Sequence, residues 1–448
     1  MSARKLLFLT VCLMLVCQLG WAQHASSVQQ LAVQAQASGK GVPVIPASAV
    51  HRGQARPFVW IGGPLGVAQR AQAHTAIPTF CNTSHTYGQL LCPNALQTAY
   101  KTNSISFANG GADMTIAIVD AFHYVNTDID LYNFSVDMNL PICTLANGCY
   151  KNLDQNGNPA VNTTCGSDSG WELETMLDLE YAHAMAPNAK LILVEGCTNF
   201  DSDLYQAVQT AAGLGDVVSN SWGEDEYDGE QDGDPTFFST KPMLFASGDD
   251  GAPAIYPCTS PNTTCIGGTS LQVNLTTLQR VSETGWAGSG GGCSIVEPAQ
   301  GYQTNHGVTL CGAFLAAPDI SAIAADTSEV AVLDSLNSGN SHGYYRVWGT
   351  SLATPVMAGL IADLDTARTT VVPTFQRKAK LQGSAGSPYI NDSLYLKYAG
   401  APNANPYKFY YYDVLVGNNG FAAGPGYDLV TGLGVLNGPQ AGPPWNLP

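Results

Sequence analysis

The chain has 448 residues, 45% hydrophobic and 12% charged, which allows one large domain or two to three small ones around an ordinary globular core. Its net charge of −17 is unevenly placed: residues 23–112 carry Lys40, Arg52, Arg56, Arg70 and Lys101 and no acid, a charge of +5, while all 35 Asp and Glu follow from Asp113 onward against 11 Lys and Arg, a charge of −24. So acidic a main region disfavours nucleic acid as a partner.

The first 22 residues join Arg4 and Lys5 to an apolar run and to small residues at Gly20 and Ala22, the layout of a signal peptide cut after about Ala22. The run is short for a membrane span, so a secreted protein, free of the membrane once cleaved, is expected. Residues 23–85 form a basic leader, a short pro-segment or extension. Over 23–75 it is rich in Gln, Ala, Gly, Pro and Val with little sustained period, which predicts a poorly ordered or extended segment. From residue 86 to 448 the pattern is that of an α/β domain. Strands are predicted at 115–122, 190–197, 217–222, 242–248 and 329–335, and helices at 170–187, 203–215 and 352–367. Such alternation implies a mostly parallel central sheet with helices on both faces. Cys12 and Cys17 leave with the signal; the ten remaining cysteines fall as neighbours, predicting the disulfides Cys81–Cys92, Cys143–Cys149, Cys165–Cys197, Cys258–Cys265 and Cys293–Cys311.

Three stretches carry chemistry. VWGTSLATPVMAGL (347–360) sets a Gly-Thr-Ser turn before an apolar helix, so Ser351 lies at a helix N-terminus, where backbone N–H groups favour negative charge. Subtilisin-like peptidases present a nucleophilic serine in this way, but the histidine base of a His-Gly-Thr-His stretch is absent. Glu174 and Asp178, four apart in the 170–187 helix, project from one face beside Leu173, Met176 and Leu177. Half burial and mutual repulsion raise both carboxyl pKa values, so the pair can share a proton and activate a hydroxyl in acid. A solvated acidic face, with Glu172 and Glu180, is the plainer alternative. In LFASGDDGAPAIYP (244–257), Asp249 ends a strand, and there an aspartate can donate to an oxyanion only when protonated.

Together with TIAIVDAF, AHAMAPNAKLILVEG, VVSNSWGEDE, CIGGTS, GSGGGCS, APDISA and GFAAGPGYDLVTGLG, these stretches resemble the sedolisins, the serine-carboxyl peptidases, over roughly residues 86–440. The resemblance implies a subtilisin-like fold and an acid-active endopeptidase with Ser351 as nucleophile and Glu174 as its base. Asp178 would back Glu174, Asp249 would be the oxyanion donor, and Asp120 and Trp222 would support the glutamate. It also implies one calcium ion held by Asp413, Asp428 and the carbonyls of Val414, Gly424 and Gly426; calcium takes oxygen ligands and glycines let carbonyls turn inward. Protein or peptide substrates and a monomer are expected. The chain departs from the family in a leader too short for its folded prodomain and in Trp348 before Gly349-Thr350. The rivals are an inactive extracellular binding protein of the same fold, a subtilisin using Asp120 with His123 or His183, and a glycan-binding wall protein, for which no motif speaks. The second fails on motif, since no histidine is followed by Gly-Thr.

Overall fold

A computed structural model describes residues 27–46, 52–64, 86–87, 90–100, 110–160, 165–336, 343–366, 390–398 and 405–438. The predicted signal peptide lies outside these residues.

Helix α1 (Val28–Ser38) opens with a capping box of Ser27 and Gln30 and closes at Gly39, whose φ of 67° is the left-handed conformation glycine tolerates best. Short strands follow, β1 (Val42–Pro43), β2 (Arg56–Pro57) and β3 (Trp60–Pro64). The main sheet begins with β4 (Thr115–Ala121), an apolar run buried on both sides. The chain continues with β5 (Tyr150–Asp154), helix α2 (Ser169–Met185), β6 (Lys190–Gly196), helix α3 (Asp201–Leu214), β7 (Val217–Asn220) and β8 (Trp222–Asp225). Then come β9 (Met243–Ala246), β10 (Ile255–Tyr256), β11 (Thr264–Val273), β12 (Arg280–Gly285) and β13 (Ile320–Ile323). Beyond these are β14 (Val330–Leu333), β15 (Tyr344–Trp348) and helix α4 (Thr350–Thr366), and two short helices and two short strands follow over residues 391–436.

The eight-stranded sheet runs β12-β11-β9-β7-β4-β6-β5 with β13 also paired to β11. All of its pairings are parallel except that of β11 with β12. The fold class is the predicted one, a mostly parallel α/β sheet flanked by helices. Helices α2 and α4 are buried around their whole circumference and pack on each other, so polar groups on them must find partners inside the protein.

The expectation of a poorly ordered leader is corrected for the described part of 23–85. Val28, Leu31, Ala32, Val44, Val59 and Ile61 lie in the main hydrophobic core. Strand β3 joins a second sheet, β1-β3-β15-β14, and β2 pairs antiparallel with β8. Few acids and a weak local period hid this order, because it comes from pairing with strands more than 150 residues away in the chain. Four of the predicted disulfides are formed, Cys143–Cys149, Cys165–Cys197, Cys258–Cys265 and Cys293–Cys311. The fifth, Cys81–Cys92, involves Cys81, outside the described residues.

Candidate active site

Parallel strands end together, so the loops after β4, β7 and β9 open on one edge of the sheet, where α/β proteins place their sites. Strand β4 ends near Asp120 and Ser221 follows β7; Asp249 follows β9 in the turn Ser247-Gly248-Asp249. Against this edge α2 brings Glu174 and Asp178, and α4 brings Ser351 on its first turn. All of these residues except Asp249, at 7% exposure, are fully buried.

Ser351 is the meeting point. Its hydroxyl donates to the Ser221 carbonyl at 3.0 Å and accepts from the Phe58 amide at 3.0 Å. Its own N–H donates to the Phe58 carbonyl at 3.1 Å. Glu174 lies within electrostatic and hydrogen-bonding influence of Ser351, Asp178, Asp120 and Asp249. Neither of its carboxyl oxygens makes a well-formed hydrogen bond while the serine hydroxyl is turned to Ser221. Burial first, then the Asp178 and Asp120 charges, push the Glu174 carboxyl well above the usual range, against a lowering influence of the Ser351 hydroxyl. Asp178 is raised by burial and by Asp120 and held down by the Ser221 hydroxyl, which donates to its Oδ1 at 2.8 Å. Asp120 is pushed up to about 8, again by burial first and then by Glu195. The solvated-face reading of this helix fails outright. Glu172 is 5% exposed and Glu180 fully buried, accepting from the Leu333 amide at 3.1 Å.

Asp249 is oriented from one side only. Its Oδ1 accepts from the Thr350 amide at 2.7 Å and the Thr350 hydroxyl at 2.9 Å, while buried Oδ2 has no partner. Burial raises its pKa, which keeps a proton available for that oxygen. The free oxygen faces the spot where a carbonyl sits: a Cβ built on Gly349 would lie 2.5 Å from Asp249 Oδ2 and 2.3 Å from the Phe58 oxygen. Only glycine fits there, and its φ of 134° adds a second reason.

Trp222 is buried, its indole N–H donating to the Val119 carbonyl at 2.9 Å at the end of β4. Both histidines of the rival triad are engaged elsewhere, His123 with Glu195 at 2.6 Å and His183 with the Pro141 carbonyl at 2.8 Å. Two contributors escaped the sequence reading. Ser221 works through a backbone carbonyl as well as a hydroxyl, and a carbonyl has no residue signature. Phe58 reaches the serine across 293 positions of chain.

The loop 413–428 runs beside the end of β12, where the Gly285 amide donates to the Val416 carbonyl at 2.7 Å, and folds back on itself. Asp413 Oδ1 accepts from the Gly426 amide and the Tyr407 hydroxyl, each at 3.0 Å. Asp428 accepts from Gly424 at 3.0 Å and from the Val430 and Thr431 amides at 2.9 Å. Two aspartates tied into one glycine-rich loop make an all-oxygen donor set that suits a hard cation such as calcium. Cys143, Cys149 and His183 also cluster, but the two sulfurs are spent on a disulfide.

A subtilase family model matches residues 160–392. Kumamolisin of Bacillus sp. (strain MN-32) is 28% identical over 315 residues, 61% of this chain and 51% of kumamolisin. Tripeptidyl-peptidase 1 of Homo sapiens is 29% identical over 216 residues, 44% of this chain and 36% of that protein. The chain thus spans between about a third and about half of the length of these relatives. Among solved structures, Pseudomonas sedolisin, a serine-carboxyl proteinase complexed with pseudo-iodotyrostatin, shares the fold with a TM-score of 0.59 at 24% identity, over 77% of this chain and 95% of that one.

Proposed function

The chain belongs to the subtilase family, whose model matches more than half of it, and from that premise we propose that it is a secreted, acid-active serine-carboxyl endopeptidase acting on proteins or peptides as a monomer. The observation that carries the reading is the convergence of Ser351, Glu174, Asp178 and Asp249 at one buried sheet edge with no histidine among the described residues bonded to the serine. Ser351 Oγ attacks the substrate carbonyl and gives its proton to Glu174. Glu174 then returns the proton to the leaving amine. Asp178, braced by the Ser221 hydroxyl, shares the negative charge of the pair, so one proton and one charge can coexist there in acid. Asp120 adds a third carboxyl to the same field and keeps the pair from ionising fully. Protonated Asp249 donates from Oδ2 to the developing oxyanion, beside the Ser351 N–H.

Asp413 and Asp428, with the Val414, Gly424 and Gly426 carbonyls, would hold a calcium ion whose contribution is to fix the loop. Four disulfides and the signal-like first 22 residues support secretion. The test is hydrolysis of casein from pH 2 to 8 by the protein and by Ser351→Ala. Activity confined to acid pH and lost in the variant supports the reading; equal hydrolysis by both proteins, or none by either, removes it.

A further inference from the structure

A row of acids crosses the sheet beside the catalytic set. Strands β4, β6 and β5 are parallel neighbours, with Asp120 opposite Glu195 and Glu195 opposite Asp154. Residues in register on adjacent strands share a face of the sheet and stand about 4.8 Å apart. Asp154 is turned into its own loop, where Oδ1 accepts from the Asn156 and Asn158 amides at 2.8 and 2.9 Å. Glu195 has both oxygens engaged: the Asn152 side chain donates to Oε1 at 2.8 Å, and His123 Nδ1 lies 2.6 Å from Oε2. Asp120 has neither oxygen in a well-formed hydrogen bond, and the nearby Thr175 hydroxyl donates instead to the Trp171 carbonyl at 2.8 Å.

The mechanism above gives Glu195 and His123 no part, yet they lead from solvent to it. The His123 side chain is 14% exposed, Glu195 6%, and Asp120 not at all. The hydrogen bond to Glu195 raises the His123 pKa against the opposing effect of burial, and a hydrogen-bonded cation in turn favours the charged form of a carboxyl group. In acid the pair is therefore a cation beside an anion. Buried Tyr150 of β5 also feels Glu195, with Asp128 and Asp120 beyond it, but a phenol stays neutral at these pH values.

Asp120, Glu174 and Asp178 act on one another, so the negative charge that the mechanism needs belongs to the set of three. Where it sits decides whether a base is available. The Ser351 hydroxyl favours it on Glu174, and the Ser221 hydroxyl favours it on Asp178. Glu195 disfavours it on Asp120. We propose that Glu195, with His123 as its counter-ion, is a positioning residue of the site: it repels negative charge from Asp120 and so directs the shared charge to Glu174 and Asp178, next to Ser351. His123 keeps that repulsion in force in acid. The proposal rests on the peptidase reading above and adds how the charge of that site is placed.

The test takes kcat and KM for casein hydrolysis from pH 2 to 8 in the wild type, Glu195→Gln, His123→Gln, Asp120→Asn and the double variant Glu195→Gln with Asp120→Asn. The Tm of each at pH 4 checks folding. Glu195→Gln keeps the shape and removes the charge, so Asp120 competes for the shared charge. Its kcat should fall about tenfold, the worth of one pKa unit, with KM unchanged. A repelling charge is also gone, so the set ionises more readily and the acid limb should move to lower pH even as the maximum falls. In the Asp120→Asn background the same substitution should change kcat by no more than about twofold, because the competitor has been removed. His123→Gln keeps a donor and removes the cation. Relative to wild type at the same pH, it should show the Glu195→Gln loss at pH 3 and none at pH 6, where a glutamate is charged without help. Apart from activity, the infrared band of a protonated carboxyl that vanishes in Asp120→Asn should titrate at lower pH in Glu195→Gln. A Glu195→Gln protein with the wild-type kcat and acid limb overturns the proposal. So does an equal loss with and without Asp120, which would make Glu195 a structural residue. If Glu195→Gln does not fold, a His123→Gln protein with wild-type activity at pH 3 overturns it instead. In each of these cases casein hydrolysis by the wild type leaves the peptidase reading standing. A wild type that hydrolyses no casein at any pH overturns that reading and this proposal with it.

Discussion

At the scale of single residues, the site divides its acid chemistry between two places. In the proposed mechanism Glu174 and Asp178 hold one charge between them and Asp249 works only while protonated, so the two requirements overlap over a limited range. Burial raises all three carboxyls, which shifts that range upward from ordinary carboxylate values. The kcat/KM profile should therefore be bell-shaped, its limbs belonging to the coupled set. Glu174→Gln keeps shape and removes the base; kcat should fall by roughly 10²–10⁴-fold with the fold intact by circular dichroism. Asp249→Asn offers a donor that needs no proton, so its alkaline limb should move to higher pH, whereas Asp249→Ala should lose activity at every pH. An unmoved limb in Asp249→Asn would show that a different group sets it. Ser221→Ala removes the hydroxyl that donates to Asp178 and should raise the pKa of the pair, moving the acid limb upward.

At the scale of elements, the legible parts were those whose signal is local. Strand β4 reads as a buried apolar run and α2 as a helix ended before Pro187, and both lie within a residue or two of their predicted bounds. The four-residue spacing of Glu174 and Asp178 was likewise readable, and so was the Gly-Thr-Ser turn. What could not be read was burial around the whole of α2, which follows from packing on α4, and the order of α1 and β1–β3, which comes from pairing with β8 and β15. The loop 413–428 lies between: its glycines and aspartates are visible in sequence, and the folded loop brings their amides and carboxylates together. A cation bound there stabilises only the folded state, by about 2.7 kcal/mol at a hundredfold excess over Kd. Chelator should lower the Tm of the wild type, and Asp413→Ala should show the same Tm with and without chelator. A wild type indifferent to chelator would remove the ion from the account.

At the scale of the whole molecule, the buried carboxyls extend far beyond the catalytic set and make stability itself depend on pH. Asp319 is pushed up to about 7 by burial, held down only in part by the Cys265 amide and the Tyr395 hydroxyl. Glu180 and Asp363 are also raised by burial, and Asp120 reaches about 8. In the unfolded chain the same groups titrate near 4. Below that pH both states are protonated and the groups contribute no pH dependence. Between about pH 4 and pH 8 the folded state keeps protons that the unfolded chain has released, so rising pH favours unfolding, by up to about 1.4 kcal/mol per pH unit for each such group. The surplus of acids from residue 113 onward adds repulsion in the same direction, but salt screens that part and leaves the burial part. The Tm should therefore be highest near pH 4 and fall steadily toward pH 8, and added salt should recover only a fraction of the loss. Glu180 separates burial from catalysis, because it faces the Leu333 amide rather than the serine. Glu180→Gln can still accept that hydrogen bond and cannot ionise, so it should flatten the decline while leaving the activity profile where it was. A Tm that holds level or climbs from pH 4 to pH 7 in the wild type would mean that these carboxyls are ionised in the folded protein.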